Sequence, residues 1–140
     1  MTGEREEPRW VNRAVIRAIH VDQIRQHGGS LGLRDEGLLK SALERPRNRW
    51  RYEPSSDLAR IAAAYGYGLA RNHPFVDGNK RVAFQVMYVF LGLNGYRIEA
   101  DETEVVTLVL SLASGDIDEE PLSDWLRDHL QARGARTQET

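Results

Sequence analysis

The sequence predicts an all-α bundle of about six helices around a buried central helix. Three observations carry this expectation. Apolar residues recur at helical spacing, most clearly Leu58, Ile61, Ala62, Tyr65 and Leu69. From Val82 to Leu93 only Gln85 is plainly polar, as in a helix buried nearly all round. Strand-like runs are almost absent, and Tyr96-Arg97-Ile98 is the short extended candidate.

Each element has a local reason. A first helix is expected from about Asn12 to His27, with Val15, Ile16, Ile19 and Ile24 as a loose apolar stripe and Gly28-Gly29 as its stop. A second is expected from about Asp35 to Glu44, with Pro46 just beyond its end. Pro46 to Ser56 is not helical in pattern. The third helix spans Asp57 to Asn72, because Pro74 disfavours the helical conformation at His73. The central helix starts near Asn79 and closes at Asn94-Gly95. Asp101 and Glu104 form a capping-box pattern ahead of Val105, Val106, Leu108, Val109 and Leu112, and Gly115 ends that helix. The last starts near Asp118, with Leu122, Trp125, Leu126, His129 and Leu130 on one face. Residues 1–11 read as a disordered lead-in, 12–132 as the folded domain and 133–140 as a loose tail.

Composition narrows the function. A chain of 140 residues fits one domain with its own core. The absence of cysteine excludes disulfide scaffolds, cysteine-zinc sites and thiol catalysis. A formal charge of −2, from 19 basic and 21 acidic residues, argues against a dedicated nucleic-acid binder. No apolar stretch has the length of a membrane span, and the polar first residues lack a signal-peptide core, so the cytoplasm is the expected location.

The segment from Asn72 to Arg81 carries chemistry. Asp77-Gly78 is a turn signal, and a helix begins at Asn79. The first amides of a helix lack intrahelical partners and sit at the positive end of its dipole. Gly78 permits close approach of a ligand to the backbone. Lys80 and Arg81 fall in a first turn where cations are disfavoured unless an anion is bound. His73 is suited to removing a proton near neutral pH. Asp77 is suited to holding Mg²⁺ together with substrate phosphates. Singly, each has a plainer reading: a structural histidine, a turn former, a solvated basic face. Together they make the inventory for transfer from a nucleotide to a hydroxyl.

His73-Pro74-Phe75-Val76-Asp77-Gly78-Asn79-Lys80-Arg81 resembles the signature H-P-F-x-[DE]-G-N-[GK]-R of the Fic/Doc (death-on-curing) family, with the lysine of its Doc branch. The flanks resemble it too, in His20-x-Asp22-Gln23-Ile24, Gly28-Gly29, Gly37-Leu38-Leu39, Ser41-Ala42-Leu43, Phe90-Leu91 and Asn94-Gly95. The resemblance covers about residues 17–131. It implies a Fic/Doc-like bundle with His73 as general base, Asp77 as magnesium ligand, and Gly78, Asn79, Lys80 and Arg81 as the part that binds the nucleotide's phosphates. Phe75 would anchor the loop.

AMP-transferring members end their motif in a second arginine, and Phe84 stands at that position here. The resemblance then implies a reversed nucleotide and a kinase: phosphoryl transfer from ATP, or another nucleoside triphosphate, to a threonine of elongation factor Tu, stopping translation. AMP transfer is the alternative. The inhibitory motif [ST]-x-x-x-E-[GN] of self-silencing members is absent, since Glu7 follows the matching Thr2-to-Glu6 spacing. Control is therefore expected from a separate antitoxin of the Phd type, as a type II toxin-antitoxin pair. A non-catalytic anion-binding module and an RNA-cleaving toxin are weaker readings. The first needs neither His73 nor Asp77; the second would want a basic surface.

Arg45, Arg49, Arg47 and Arg51 alternate, so an extended backbone would put all four on one side. In related proteins this part forms a flap beside the active site; the other reading is a solvated basic loop with Trp50 tucked into the core. His20 and Asp22, two apart on a helix, do not face each other, which argues against a metal site there.

Overall fold

In the computed structural model, residues 5–133 are described, and they form six helices and one small antiparallel sheet. In order these are α1 (Arg13–His27), α2 (Glu36–Tyr52), α3 (Leu58–Asn72), α4 (Asn79–Leu93), β1 (Tyr96–Ile98), α5 (Glu102–Ser114), α6 (Glu119–Asp128) and β2 (Leu130–Ala132). The helix starts follow local capping chemistry. Asn12, Asp35 and Asp57 each accept a hydrogen bond from a first-turn amide, at Val15, Leu38 and Arg60. The Asp101–Glu104 capping box is complete, and Gly115 closes α5 in a left-handed conformation.

Two helices share the centre. Ten of the fifteen residues of α3 are buried, against eight of fifteen in α4. The periodic face of α3 understated its burial, because Ala59, Ala62, Ala63, Ala64 and Ala70 add small side chains all round it. Small residues let α2, α4 and α6 pack closely on it. At Gly66 the sulfur of Met87 occupies the space a β-carbon would need, so any side chain there would force Met87 to move. The core continues through Ile16, Leu39, Phe75, Leu122 and Leu126, all at most 2% exposed.

Several expectations are corrected. α2 runs on to Tyr52, through Pro46, instead of stopping near Glu44. Proline removes one ladder hydrogen bond and costs about 3 kcal/mol in a helix interior; tertiary contacts beyond it offset the loss. The helical spacing of four brings Arg45 and Arg49 together on Glu119. Arg45 Nε lies 2.8 Å from Oε1, and Arg49 Nε lies 2.8 Å from Oε2. Arg47 instead stacks over Trp10, at 4.8 Å from its ring centre. The four arginines are therefore neither on one side nor in an extended flap. Trp50 does pack against the core.

Of the lead-in expected over 1–11, Pro8 is buried and Val11 is 3% exposed. Trp10 packs against Trp50, Tyr65 and Phe90. The Val11 amide donates to the Tyr65 hydroxyl at 3.0 Å, and Arg9 exchanges two hydrogen bonds with the Asn94 side chain. The tail expected from 133 lies, after Arg133, outside the described residues. The expected piece Tyr96–Ile98 is β1, and it pairs with β2, where the last helix was expected to continue. α6 stops at Asp128, and Leu130 joins the sheet opposite Ile98.

Glu119 is 7% exposed, and it ties α6 to α2 through two guanidinium groups. Burial pushes its carboxyl up, but the hydrogen bonds from Arg49 and Arg45 outweigh burial and hold it below its ordinary value. A group with a depressed native value adds stability above its unfolded value and loses it as pH falls through the native one. Glu119→Gln is expected to lower unfolding free energy by about 1–3 kcal/mol at neutral pH. Urea denaturation should show that gap closing below the ordinary glutamate range.

Candidate active site

The loop between α3 and α4 is held by contacts from three directions. His73 ends α3 in the left-handed region, with φ 50° and ψ 56°. It is the one non-glycine residue with positive φ among the described residues. That conformation costs a β-carbon-bearing residue about 1–3 kcal/mol, and Arg34 fixes it. Arg34 Nε donates to the His73 carbonyl at 2.7 Å, and its Nη2 donates to the Asn72 carbonyl at 3.0 Å. The imidazole of His73 is left exposed.

The segment from Gly28 to Arg34 runs beside the loop as a short extended strip. Leu33 and Phe75 form an isolated antiparallel bridge. The Val76 amide donates to the Gly32 carbonyl at 3.0 Å, and the Arg34 amide to the Pro74 carbonyl at 2.7 Å. This strip, and not the arginine-rich stretch at 45–51, is the extended piece next to the loop. Its Ser30 amide donates to Asp77 Oδ2 at 2.8 Å. The Asp77 side chain is exposed, and Oδ1 has no protein donor among the described residues.

Phe75 anchors the loop. It is 2% exposed, and its ring stacks on His20 of α1, centroid to centroid at 4.0 Å. Its own backbone is satisfied by Asn79: the Phe75 amide donates to Oδ1, and Nδ2 donates to the Phe75 carbonyl, both at 2.9 Å. The carboxamide of Asn79, expected among the nucleotide-binding groups, is thus spent inside the loop. Only its backbone amide remains for a ligand.

Gly78 is the N-cap of α4, at φ 82°, and no side chain caps the helix. A β-carbon there would be strained and would stand 3.2 Å from Ile24 Cδ1. The carbonyls of residues 72, 73, 74, 75, 77 and 78 all have partners, from Arg34, Asp35, Asn79, His20 and Val82. The amides of residues 78–81 have no acceptor among the described residues. Four unpaired donors thus meet the positive end of the α4 dipole and the exposed Lys80 and Arg81.

Lys80 and Arg81 also line a groove of about 270 Å³ between α1, α4 and α5, floored by Phe84 and walled by Val105, Val106 and Val109. Among the described residues no three His, Asp, Glu or Cys side chains gather as a metal cage. Any cation at Asp77 would take its other ligands from phosphate and water, which is how Mg²⁺ is commonly held.

Two holding residues were not legible. His20 sits four residues from both Ile16 and Ile24, on the buried stripe of α1, and it opens the flank His20-x-Asp22-Gln23-Ile24, but neither signal pointed to its contact with the loop. Arg34 had none, because its contact depends on the path of the chain between α1 and α2.

A model of the Fic/DOC family matches residues 10–91, more than half of the chain. The chain is 33% identical over 119 residues to a protein named Protein kinase doc from Escherichia phage P1, covering 85% of this chain and 94% of that one. It is 44% identical over 75 residues to one named Toxin Doc from Mycolicibacterium smegmatis, covering 53% of this chain and 58% of that one. The chain belongs to the Fic/Doc family. Within it, the lysine of Asn79-Lys80-Arg81 and both of these relatives put it in the Doc branch.

Replacing Arg34 by Met is expected to release His73 from its left-handed conformation while changing global stability by less than about 1 kcal/mol, since Arg34 is exposed. Misplacing a catalytic group by about 1 Å can cost on the order of 10²-fold in rate. The variant should melt close to the parent, and the His73 ring signals in its NMR spectrum should shift.

Proposed function

We propose that this chain is the toxin of a type II toxin-antitoxin pair and a protein kinase that phosphorylates a hydroxyl of a cytoplasmic protein, a threonine of elongation factor Tu being the first candidate. The observation that carries the reading is the loop itself. It combines four unpaired amides, two cations, an exposed imidazole and an exposed carboxylate within nine residues. Phe84 supports the reversed orientation of the nucleotide. It is 6% exposed and apolar, so nothing at that position can clasp β- and γ-phosphates beyond the loop. The γ-phosphate then belongs at the loop.

The donor set fits ATP with Mg²⁺. The amides of residues 78–81, with Lys80 and Arg81, would hold phosphate oxygens, and Asp77 would hold the cation. Bound ATP supplies the phosphoryl group, and the cation offsets its charge. The target hydroxyl oxygen forms a bond to the γ-phosphorus, the bond from that phosphorus to the bridging oxygen breaks, and ADP leaves. His73 takes the hydroxyl proton. Asp77 has one carboxylate oxygen fixed by the Ser30 amide and the other without a protein donor among the described residues, so Oδ1 would be the one to hold the cation.

Control would come from an antitoxin of the Phd type, whose disordered segment folds as a helix against the toxin. Val106 and Leu110 are 50% and 60% exposed along α5 and offer apolar surface for such a helix. Among the described residues no helix is long and apolar enough to cross a membrane, and the balanced charge does not favour direct nucleic-acid binding.

The decisive experiment incubates the protein with cell extract, Mg²⁺ and ATP labelled at either the α- or the γ-phosphate. Label from the γ-position on a protein is the expected result. Label from the α-position would replace the kinase by AMP transfer, and no label would favour a non-catalytic anion-binding module. His73→Ala should cut transfer by about 10² to 10⁴ while leaving the fold intact. Asp77→Asn should weaken Mg²⁺-dependent nucleotide binding and slow transfer; activity independent of both would remove the role assigned to it. Expression alone should arrest growth, and co-expression of the neighbouring antitoxin should restore it with a stable complex.

A further inference from the structure

We propose that His20 is a positioning residue that turns the Gly78 N–H toward the bound phosphate; this rests on reading the loop as a phosphate cradle. His20 is 3% exposed, in the middle of α1, and is 57 residues before the turn it touches. Its Nε2 lies 2.9 Å from the carbonyl oxygen of Asp77. A carbonyl only accepts, so Nε2 must carry a proton and donate. The ring is also stacked on Phe75, which leaves it little freedom to rotate away.

The consequence follows from the planarity of the peptide group. No described peptide bond is cis. In a trans peptide the C=O and the following N–H point to opposite sides. With the Asp77 oxygen drawn toward α1, the Gly78 N–H must face away from α1, beside the first amides of α4. Gly78 is left-handed, and glycine alone among residues moves easily between such states. Without the pin, the 77–78 peptide can turn over. A flipped peptide would present a carbonyl oxygen to the phosphate in place of a donor. His20 touches neither substrate nor metal in this scheme, and it acts only through that peptide plane. Asn79 cannot substitute for it, because both ends of its carboxamide are bonded to Phe75.

The test uses the full chain and inorganic pyrophosphate as the probe, followed by amide NMR. In the parent, the Gly78 amide proton should move downfield on titration. His20→Phe keeps an aromatic ring against Phe75 and loses the donor. It should bind pyrophosphate about 10- to 100-fold more weakly and lose the Gly78 response, with its melting temperature reported alongside. His20→Gln keeps a donor of similar reach and should recover part of both, which a purely packing role would not produce. An unchanged Gly78 response in folded His20→Phe would overturn the proposal while leaving the cradle in place. No Gly78 response in the parent would overturn the cradle reading and this proposal with it. Should His20→Phe fail to fold, the parent alone decides: ¹⁵N spectra of His20 must show a protonated Nε2, and an unprotonated Nε2 refutes the inference.

Discussion

The peptide groups on either side of Phe75 cannot reach water, because the ring between them is in the core. Their hydrogen bonds must come from protein, and Asn79 supplies two of them with one side chain. This constraint couples two things that could otherwise vary separately. Phe75 belongs to the packing of the bundle, against His20 of α1. Asn79 is the first residue of α4, so the start of that helix is tied to the anchor four residues earlier. The free amides at the α4 N-terminus therefore take their position from the core, and a cradle of backbone donors becomes as rigid as the helices behind it. Rigidity matters here because donors that need no reorganisation stabilise charge better than mobile ones.

Remote packing supports the same geometry. α3 delivers His73, and α2 and α6 clasp α3 through the Glu119 pair with Arg45 and Arg49. A carboxylate so buried is retained only with its partners, and its partners keep α2 helical past Pro46. The strip at 28–34 then closes over the loop with backbone hydrogen bonds and the guanidinium of Arg34. Such contacts place Asp77 and His73 while leaving Asp77 Oδ1 and the His73 imidazole without a protein partner among the described residues.

Most helices were legible because each carries its own boundary signal. Asn12, Asp35, Asp57 and Asp101 cap from within the local sequence, and Gly28 and Gly115 stop it. The exception, α2, shows the limit of local reasoning. Pro46 is a genuine local penalty, offset beyond it by the pairing of Arg49 with Glu119, 70 residues further along the chain. Trp10 and Val11 were hidden for the same reason: a polar lead-in ends in two side chains whose partners, Tyr65 and Phe90, lie far along the chain. In the loop, His73, Asp77, Lys80 and Arg81 fall within nine residues, so the sequence alone offered them as candidates. The carboxamide of Asn79 was harder to place. Its assignment depended on which side of the turn faced inward, and spacing alone does not tell that.

Residues 9 and 133 both hydrogen-bond at the far end of α4, to the neighbouring residues Asn94 and Gly95. The turn with Asp77 and Gly78 is at the other end, a helix of fifteen residues away, or roughly 20 Å at 1.5 Å per residue. The chain thus passes the far pole twice, at residues 9 and 133, and both passages lie away from the loop that carries His73 and Asp77. A fluorophore attached at exposed Arg9 or Arg133 would therefore stand at the end of α4 that is remote from the loop.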